Sequence, residues 1–416
     1  MPEPLHVLVY GPLDGGSCCY HRIGVYQQPL LQRGIDVRPW TNVDVQFPES
    51  YAGRPLDAVA ADVISLGRSE LDWADVLVLQ RYYFTTYWCD NCSVRSPDRG
   101  KMLDHAKRPR HVVHPPREPL LRWLVDKIEH HGLAAGQAIV YETDDDLFSM
   151  AGSYEREGLT REAQELRAER DLIERMMRLA DLVTVATPVL ETRVSLFNGS
   201  VRVVRNAVDP ALYSAPEGPD ELEGSPRVLY YGTTPRRGDY EVCRSAVNRA
   251  ARAFPGLRRV WLGSDNPTVR AVVDEAIPYV AGVPEFAAAL VRAQPHIGLA
   301  PVLDEPFNRA RSELHWLEYT LAGAATIASR TSEPGPYDAI RDGSDGLLAS
   351  SPGQWLDALM RLASSSALRE ELVGRALERV LADYTVERRA DEWADAYRWA
   401  ADHAGRGRMA AESLAL

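Results

Sequence analysis

The stretch Leu5-His6-Val7-Leu8-Val9-Tyr10, stopped by Gly11-Pro12, decides how the fold is read. A run that is apolar almost throughout and ends at a turn signal is the pattern of a strand covered on both faces. A helix-like stretch follows from Arg22 to Arg33, closed by Gly34, and Ile35-Asp36-Val37 resumes as a strand. The rhythm returns at Val76-Leu77-Val78-Leu79, at Ala138-Ile139-Val140-Tyr141 and at Leu182-Val183-Thr184-Val185-Ala186. Strands alternating with helices predict a parallel sheet with helices on both faces.

From Val201 the chain reads as a short strand running into an exposed turn at Asn206-Ala207-Val208-Asp209-Pro210. Ala215-Pro216-Glu217-Gly218-Pro219 then has the composition of a linker. The alternation starts afresh, with strands expected over Arg227–Tyr231, Arg259–Leu262, His296–Ala300 and Ala325–Ala328. Two successive α/β sheets, split near residue 208, are the simplest account. The last amphipathic segment, Val386 to Ala401, places Trp393, Tyr397 and Trp399 on a helix, and the tail after Gly405 reads as frayed.

Composition narrows the chemistry. The chain has 416 residues, 45% of them hydrophobic and 25% charged, with a net charge of −12. That is a globular composition, and its acidity does not advertise a general nucleic-acid surface. No apolar run reaches the ~18 residues of a spanning helix, and the start lacks a signal-peptide pattern, so a cytoplasmic location is expected. Five cysteines do not make a disulfide framework. All but three of the 47 basic residues are arginine; the lysines are Lys101, Lys107 and Lys127. An anionic ligand in the second half must therefore be held by arginine, backbone N–H groups or helix N-termini.

The stretch richest in chemistry runs Asp304-Glu305-Pro306-Phe307-Asn308-Arg309-Ala310-Arg311-Ser312-Glu313-Leu314-His315-Trp316-Leu317-Glu318-Tyr319. It follows a strand, and a helix is expected to begin near Arg311 or Ser312. Serine at a helix start leaves N–H groups facing the crevice at the strand ends, a site for an anion. Arg309 and Arg311 add positive charge, and Glu318, two turns in, can accept from a pair of vicinal hydroxyls. Phosphate at the tip and sugar hydroxyls further along is how a nucleotide would lie. An ordinary amphipathic helix with a solvated start is the bland alternative.

These residues resemble the donor-site motif of family-four-type, retaining glycosyltransferases with the GT-B fold. The closest branch carries Phe-Asn, a basic residue and Ser, a Trp-Leu-Glu-Tyr-like segment and a Gly. Phe307-Asn308, Arg311-Ser312, Trp316-Leu317-Glu318-Tyr319 and Gly323 match it, with Arg311 for the usual Lys and His315 where a second Lys is common. The wider family has two glutamates eight positions apart, the second five before the Gly. Glu305 and Glu313 have the first spacing and Glu318 the second, which makes Glu318 the ribose partner. The resemblance implies two Rossmann-like parallel-sheet domains facing across a cleft. Residues 1–207 would form the acceptor side, with an insertion at about 82–132. Residues 208–384 would bind the donor, and 385–416 would carry a helix back to the first domain and a frayed tail.

Further residues follow from the same resemblance. Gly232, Thr233, Arg236 and Arg237, in the loop after the second unit's first strand, would lie by the donor diphosphate with Arg311, Ser312 and Glu313. Gly15 and Gly16 would border the cleft; Arg22, at the start of the next helix, reads on its own either as a clamp for an anionic group there or as a surface arginine. Tyr141-Glu142-Thr143-Asp144-Asp145-Asp146-Leu147 resembles the branch's Glu-x-Asp-Asp-Asp-Leu sequence, making Asp144 and Asp145 the catalytic, acceptor-side carboxylates. A metal-binding Asp-x-Asp at Asp144 and Asp146, or a helix-capping cluster, are the competing readings. The implied reaction moves a sugar from a nucleoside-diphosphate sugar to an acceptor hydroxyl, with retention and no cofactor. A sugar-nucleotide epimerase, a phage-type DNA-base glycosyltransferase and a non-catalytic nucleotide-sugar-binding protein are the alternatives. Between Arg81 and Gly132, Cys89, Cys92, His105 and His111 have spacings within the range of a structural zinc site. Arg95 to Arg122 is locally basic, so a metal-free flap that binds acceptor, DNA included, is the other reading of that insertion.

Overall fold

The computed structural model describes residues 3–10, 17–39, 68–80, 87–89, 94–96, 113–114, 125, 136–214, 225–232, 237–264, 267–280 and 282–405. The apolar runs fold as strands β1 (Leu5–Tyr10), β2 (Ile35–Pro39) and β3 (Val76–Gln80). Three short strands follow in the insertion: β4 (Tyr87–Cys89), β5 (Val94–Ser96) and β6 (Val113–His114). The first unit continues with β7 (Ala138–Thr143), β8 (Leu182–Val185) and β9 (Val201–Val203). The second holds β10 (Arg227–Gly232), β11 (Arg258–Gly263), β12 (Glu275–Pro278), β13 (Ile297–Ala300), β14 (Ala325–Ser329) and β15 (Leu347–Ala349).

The order is β2-β1-β3-β7-β8-β9 in one six-stranded sheet and β12-β11-β10-β13-β14-β15 in the other, while β5-β4-β6 form a small third sheet. Every pairing in the two large sheets is parallel, and those in the small one are antiparallel. Both large sheets are covered on both faces, which is why β3, β7, β8, β10 and β13 are buried at every position. Strand order reverses between β1 and β3 in one sheet and between β10 and β13 in the other. Crevices open beyond the carboxyl ends of strands at such reversals.

Some local expectations are corrected. The helix expected over Arg22–Arg33 is in two pieces, Ser17–Arg22 and Gln27–Leu31, separated by a 3-10 turn at Gly24–Tyr26. Pro29 is tolerated because it falls in the first turn of the second piece, where its missing N–H costs no helical bond. Strands β12 and β15 were not anticipated. They are edge strands of four and three residues, too short to show a periodicity.

The last helix, Val386–Asp402, leaves the second unit and packs on the first. Val386, Ala390, Trp393, Ala394, Tyr397 and Ala400 fall at helical spacing on one buried face, in one cluster with Val7, Val9, Tyr26, Val78 and Val140. Arg33 anchors the outer side, its Nε 2.5 Å from Asp391 Oδ1. Where the chain crosses between units it does so twice, side by side. Val208 N–H donates to Tyr384 O at 3.0 Å and Val386 N–H donates to Val208 O at 3.2 Å. Trp393 is fully buried against Tyr26 and Tyr397. Trp393→Ala should therefore lower unfolding stability by about 3–5 kcal/mol, measurable as a drop in the urea midpoint. A loss under about 1 kcal/mol would mean that this helix does not hold the units together.

Candidate active site

In the first unit the crevice is built on the end of β7. Thr143 closes the strand, and its hydroxyl donates to Asp145 O at 2.8 Å while Asp145 N–H donates back to that hydroxyl at 3.3 Å. This tight turn leaves Asp144 and Asp145 half-buried at the strand end. Asp146 has a different task. Its carboxylate caps the Leu147–Arg156 helix, accepting from Phe148 N–H at 3.2 Å and Ser149 N–H at 3.3 Å, and Arg193 pairs with it at 2.8 Å. Among the described residues no three His, Cys, Asp or Glu side chains gather as a cation site, so the Asp144/Asp146 metal reading has no such cluster behind it.

Arg22 is held inside the fold. Its side chain is completely buried, with Nε 2.6 Å from Glu142 Oε1, Nη1 donating to Val204 O and to Asn206 Oδ1 (3.1 Å), and Trp393 stacked 4.8 Å away. The arginine expected to clamp a ligand spends Nε and Nη1 on the protein, while its Nη2 has no hydrogen-bond partner among the described residues. Burial pushes the Glu142 carboxyl above its ordinary value, opposed by the Arg22 charge. Gly15 and Gly16 lie outside the described residues.

In the second unit the crevice lies between the ends of β10 and β13. Gly232 ends β10 opposite Gly263, and a Cβ on Gly263 would come within 2.1 Å of the Gly232 carbonyl oxygen. Only glycine fits there. Thr233 and Arg236, and the side chain of Arg237, lie outside the described residues. The helix expected from Arg311 or Ser312 begins later. A short helix, Pro306–Arg309, comes first, and the main one spans Leu314–Leu321 with Glu313 at its start and no side-chain cap. Ser312 lies one residue before the N-cap position, and its hydroxyl accepts from Asn206 Nδ2 at 2.9 Å. Glu313 is buried and paired with Arg205 at 3.2 Å, and Arg311 sits 3.8 Å from Asp239 and over the Phe307 ring.

Glu318 is buried on the Leu314–Leu321 helix. Tyr231 donates to its Oε2, Tyr213 to its Oε1 at 3.4 Å, and His21 of the first unit places Nε2 3.6 Å from that Oε1. Burial and the Glu318 charge raise the Tyr213 hydroxyl well above its ordinary value, so it stays a donor. Other contacts also cross between the units. Arg156 pairs with Glu305, Gly238 N–H donates to Glu157 Oε1 at 3.0 Å, and Thr187 donates to Ala310 O at 2.8 Å.

His21, Asn206, Tyr213 and Asp239 were not singled out from sequence. His21 and Glu318 are 297 positions apart, and no local pattern links them. Asn206 lay in plain view in the crossover, but its two amide directions are a tertiary fact. Of the cysteine–histidine set, Cys92, His105 and His111 lie outside the described residues, as does the Cys89 side chain.

Two sheets with reversal crevices turned toward each other, joined by a double crossover and a returning C-terminal helix, define the GT-B class. The comparisons agree. Residues 236–395 match the family model described as glycosyl transferase-like. A search of curated protein sequences finds no match. Sucrose-phosphate synthase from Thermosynechococcus elongatus superposes with a TM-score of 0.63 at 15% identity, over 95% of this chain and 98% of that one. Anabaena HepE in complex with UDP gives 0.54 at 13%, over 94% and 98%. The UDP-forming α,α-trehalose-phosphate synthase from Burkholderia xenovorans gives 0.57 at 10%, over 95% and 99%. The chain has the GT-B fold, and its residues 236–395 are similar to glycosyl transferase-like proteins. Among the described residues no helix is long and apolar enough to cross a membrane.

The buried pair gives a test of the scaffold. Arg22→Met strands the Glu142 carboxylate, which should cost about 3–5 kcal/mol near neutral pH. A carboxyl whose folded pKa is raised contributes stability at low pH that is lost as pH rises. The deficit of this variant should therefore shrink on acidification toward the ordinary carboxylate range and deepen above it. A pH-independent deficit in urea unfolding would show that Glu142 is not what Arg22 compensates.

Proposed function

We propose that the chain transfers a sugar from a nucleoside-diphosphate sugar to an acceptor hydroxyl with retention of configuration. In this reading residues 208–384 bind the donor and residues 1–207 the acceptor, with 385–416 returning to the first unit. Glu318 takes the ribose. Arg311, Ser312, Glu313 and the Gly232–Arg237 loop face the diphosphate and sugar, and Asp144 and Asp145 orient and polarise the attacking hydroxyl. The observation that carries the reading is the closeness of the two crevices, near enough for Arg156 to pair with Glu305 and for His21 to reach Glu318.

The chemistry follows from charge. Cleavage at the anomeric carbon leaves negative charge on the diphosphate. Fixed guanidinium and backbone N–H groups stabilise that charge more in the transition state than in the ground state. The departing phosphate oxygen lies on the face the acceptor approaches and takes its proton, which is consistent with retention. Contacts between the units exclude water, so the sugar goes to the acceptor rather than to hydrolysis. Of the similar proteins named above, one is in complex with UDP and one is UDP-forming, which supports a uridine-diphosphate sugar as donor.

Calorimetry with UDP, GDP and ADP tests the donor half. At least one should bind, and Glu318→Ala and Arg311→Ala should each weaken it about tenfold or more, equivalent to about 1.4 kcal/mol. Near-unchanged affinity in both variants would place the nucleotide elsewhere. For the acceptor half, Asp144→Asn and Asp145→Asn should leave nucleotide affinity within about twofold and lower the transfer rate by about 10²-fold or more in at least one. Full transfer activity in both would remove these carboxylates from the reaction.

A further inference from the structure

His21 carries an unused ring nitrogen aimed at the proposed donor site. The residue is 2% exposed. Nδ1 lies 3.1 Å from the Ala207 carbonyl oxygen, a group that can only accept, so Nδ1 carries the hydrogen. In the neutral ring Nε2 is then an acceptor. It has no hydrogen-bond partner among the described residues, and it sits 3.6 Å from Glu318 Oε1, another acceptor. With the ring neutral these are two buried acceptors side by side, a pair that two donors from outside the chain would satisfy.

Glu318 has capacity left. A carboxylate offers about four lone-pair sites, of which Tyr213 takes one on Oε1 and Tyr231 one on Oε2. The spacing of Oε1 and Nε2 is comparable with that of the two oxygens of a vicinal diol. We propose that His21 is a donor-recognition residue supplied by the first unit: its Nε2 accepts one hydroxyl of the nucleotide ribose while Glu318 accepts the neighbouring one. The nucleotide is thus held by both units at once, and its ribose draws them together. The Ala207 carbonyl fixes the ring, so His21 moves with the crossover. This inference rests on Glu318 being the ribose partner.

Two substitutions separate the ring nitrogens. His21→Asn keeps an N–H where Nδ1 donates to Ala207 and removes the group at Nε2, whereas His21→Gln keeps an acceptor near Nε2. Each protein is titrated calorimetrically with UDP, GDP and ADP and with their 2′-deoxy and 3′-deoxy forms. Wild type should bind each deoxy form about tenfold more weakly than the ribonucleotide. In His21→Asn one of the two deoxy forms should bind as well as the ribonucleotide, the other remaining weaker, and His21→Gln should restore part of the discrimination. A structural role alone would lower all affinities together and leave their ratios as in wild type, and that result overturns the inference. No binding of any ribonucleotide to wild type would instead overturn the donor-site reading beneath it. A measurement without variants uses ¹⁵N-histidine labelling. Saturating nucleotide should move the His21 Nε2 resonance while Nδ1 stays protonated, and an unmoved Nε2 resonance refutes the contact.

Discussion

One buried guanidinium joins the parts on which everything else depends. Arg22 sits where β7 ends, where the chain crosses between units and where the last helix returns, and it bonds to the first two and stacks on the third. Its partner Glu142 lies two residues before Asp144, so the ion pair fixes the root of the acidic turn. Removing a charge from water is costly, and an opposite charge together with hydrogen bonds recovers part of that cost. Arg22 uses three directions on two segments far apart in sequence. The result is a rigid corner from which both crevices are measured.

Asn206 extends that corner into the second unit. Its carbonyl oxygen accepts from Arg22 and its amide donates to Ser312, so the loop before the Leu314–Leu321 helix is referenced to the first sheet. Arg205, its neighbour, does the same for Glu313. The segment Val204–Val208 is thereby a linker and a gauge at once. It is buried at Val204, Asn206, Ala207 and Val208, and it is paired with the returning strand at Tyr384–Val386. Movement of the units about this segment would have to carry those bonds with it.

The contacts across the cleft have a common electrostatic character. Glu157 places a carboxylate on the first N–H groups of the Arg237–Ala253 helix, where the partial positive charge of the helix end favours an anion. Arg156 meets Glu305 beside it. Arginine dominates these pairings, as it must in a chain with three lysines, and its planar fork suits both carboxylate and phosphate.

The architecture was legible in the sequence because parallel strands covered on both faces leave a strong mark: β1, β3, β7, β8, β10 and β13 are runs of apolar residues bounded by turn signals. The helix over Val386–Asp402 was legible for the same reason, a wide apolar stripe with large aromatics. The motif around Phe307–Glu318 is local in sequence, and the structure keeps it together in the loop and helix that follow β13. What sequence alone could not decide is which polar groups meet. Arg22 reads as a cleft arginine until its burial is seen, Ser312 reads as a helix cap until Asn206 is found on it, and His21 has no reading at all without Glu318. Hydrophobic periodicity is written along the chain and survives in one dimension. Hydrogen-bond partnership between distant residues is settled only when the packed core fixes their directions, and that is a property of the tertiary structure.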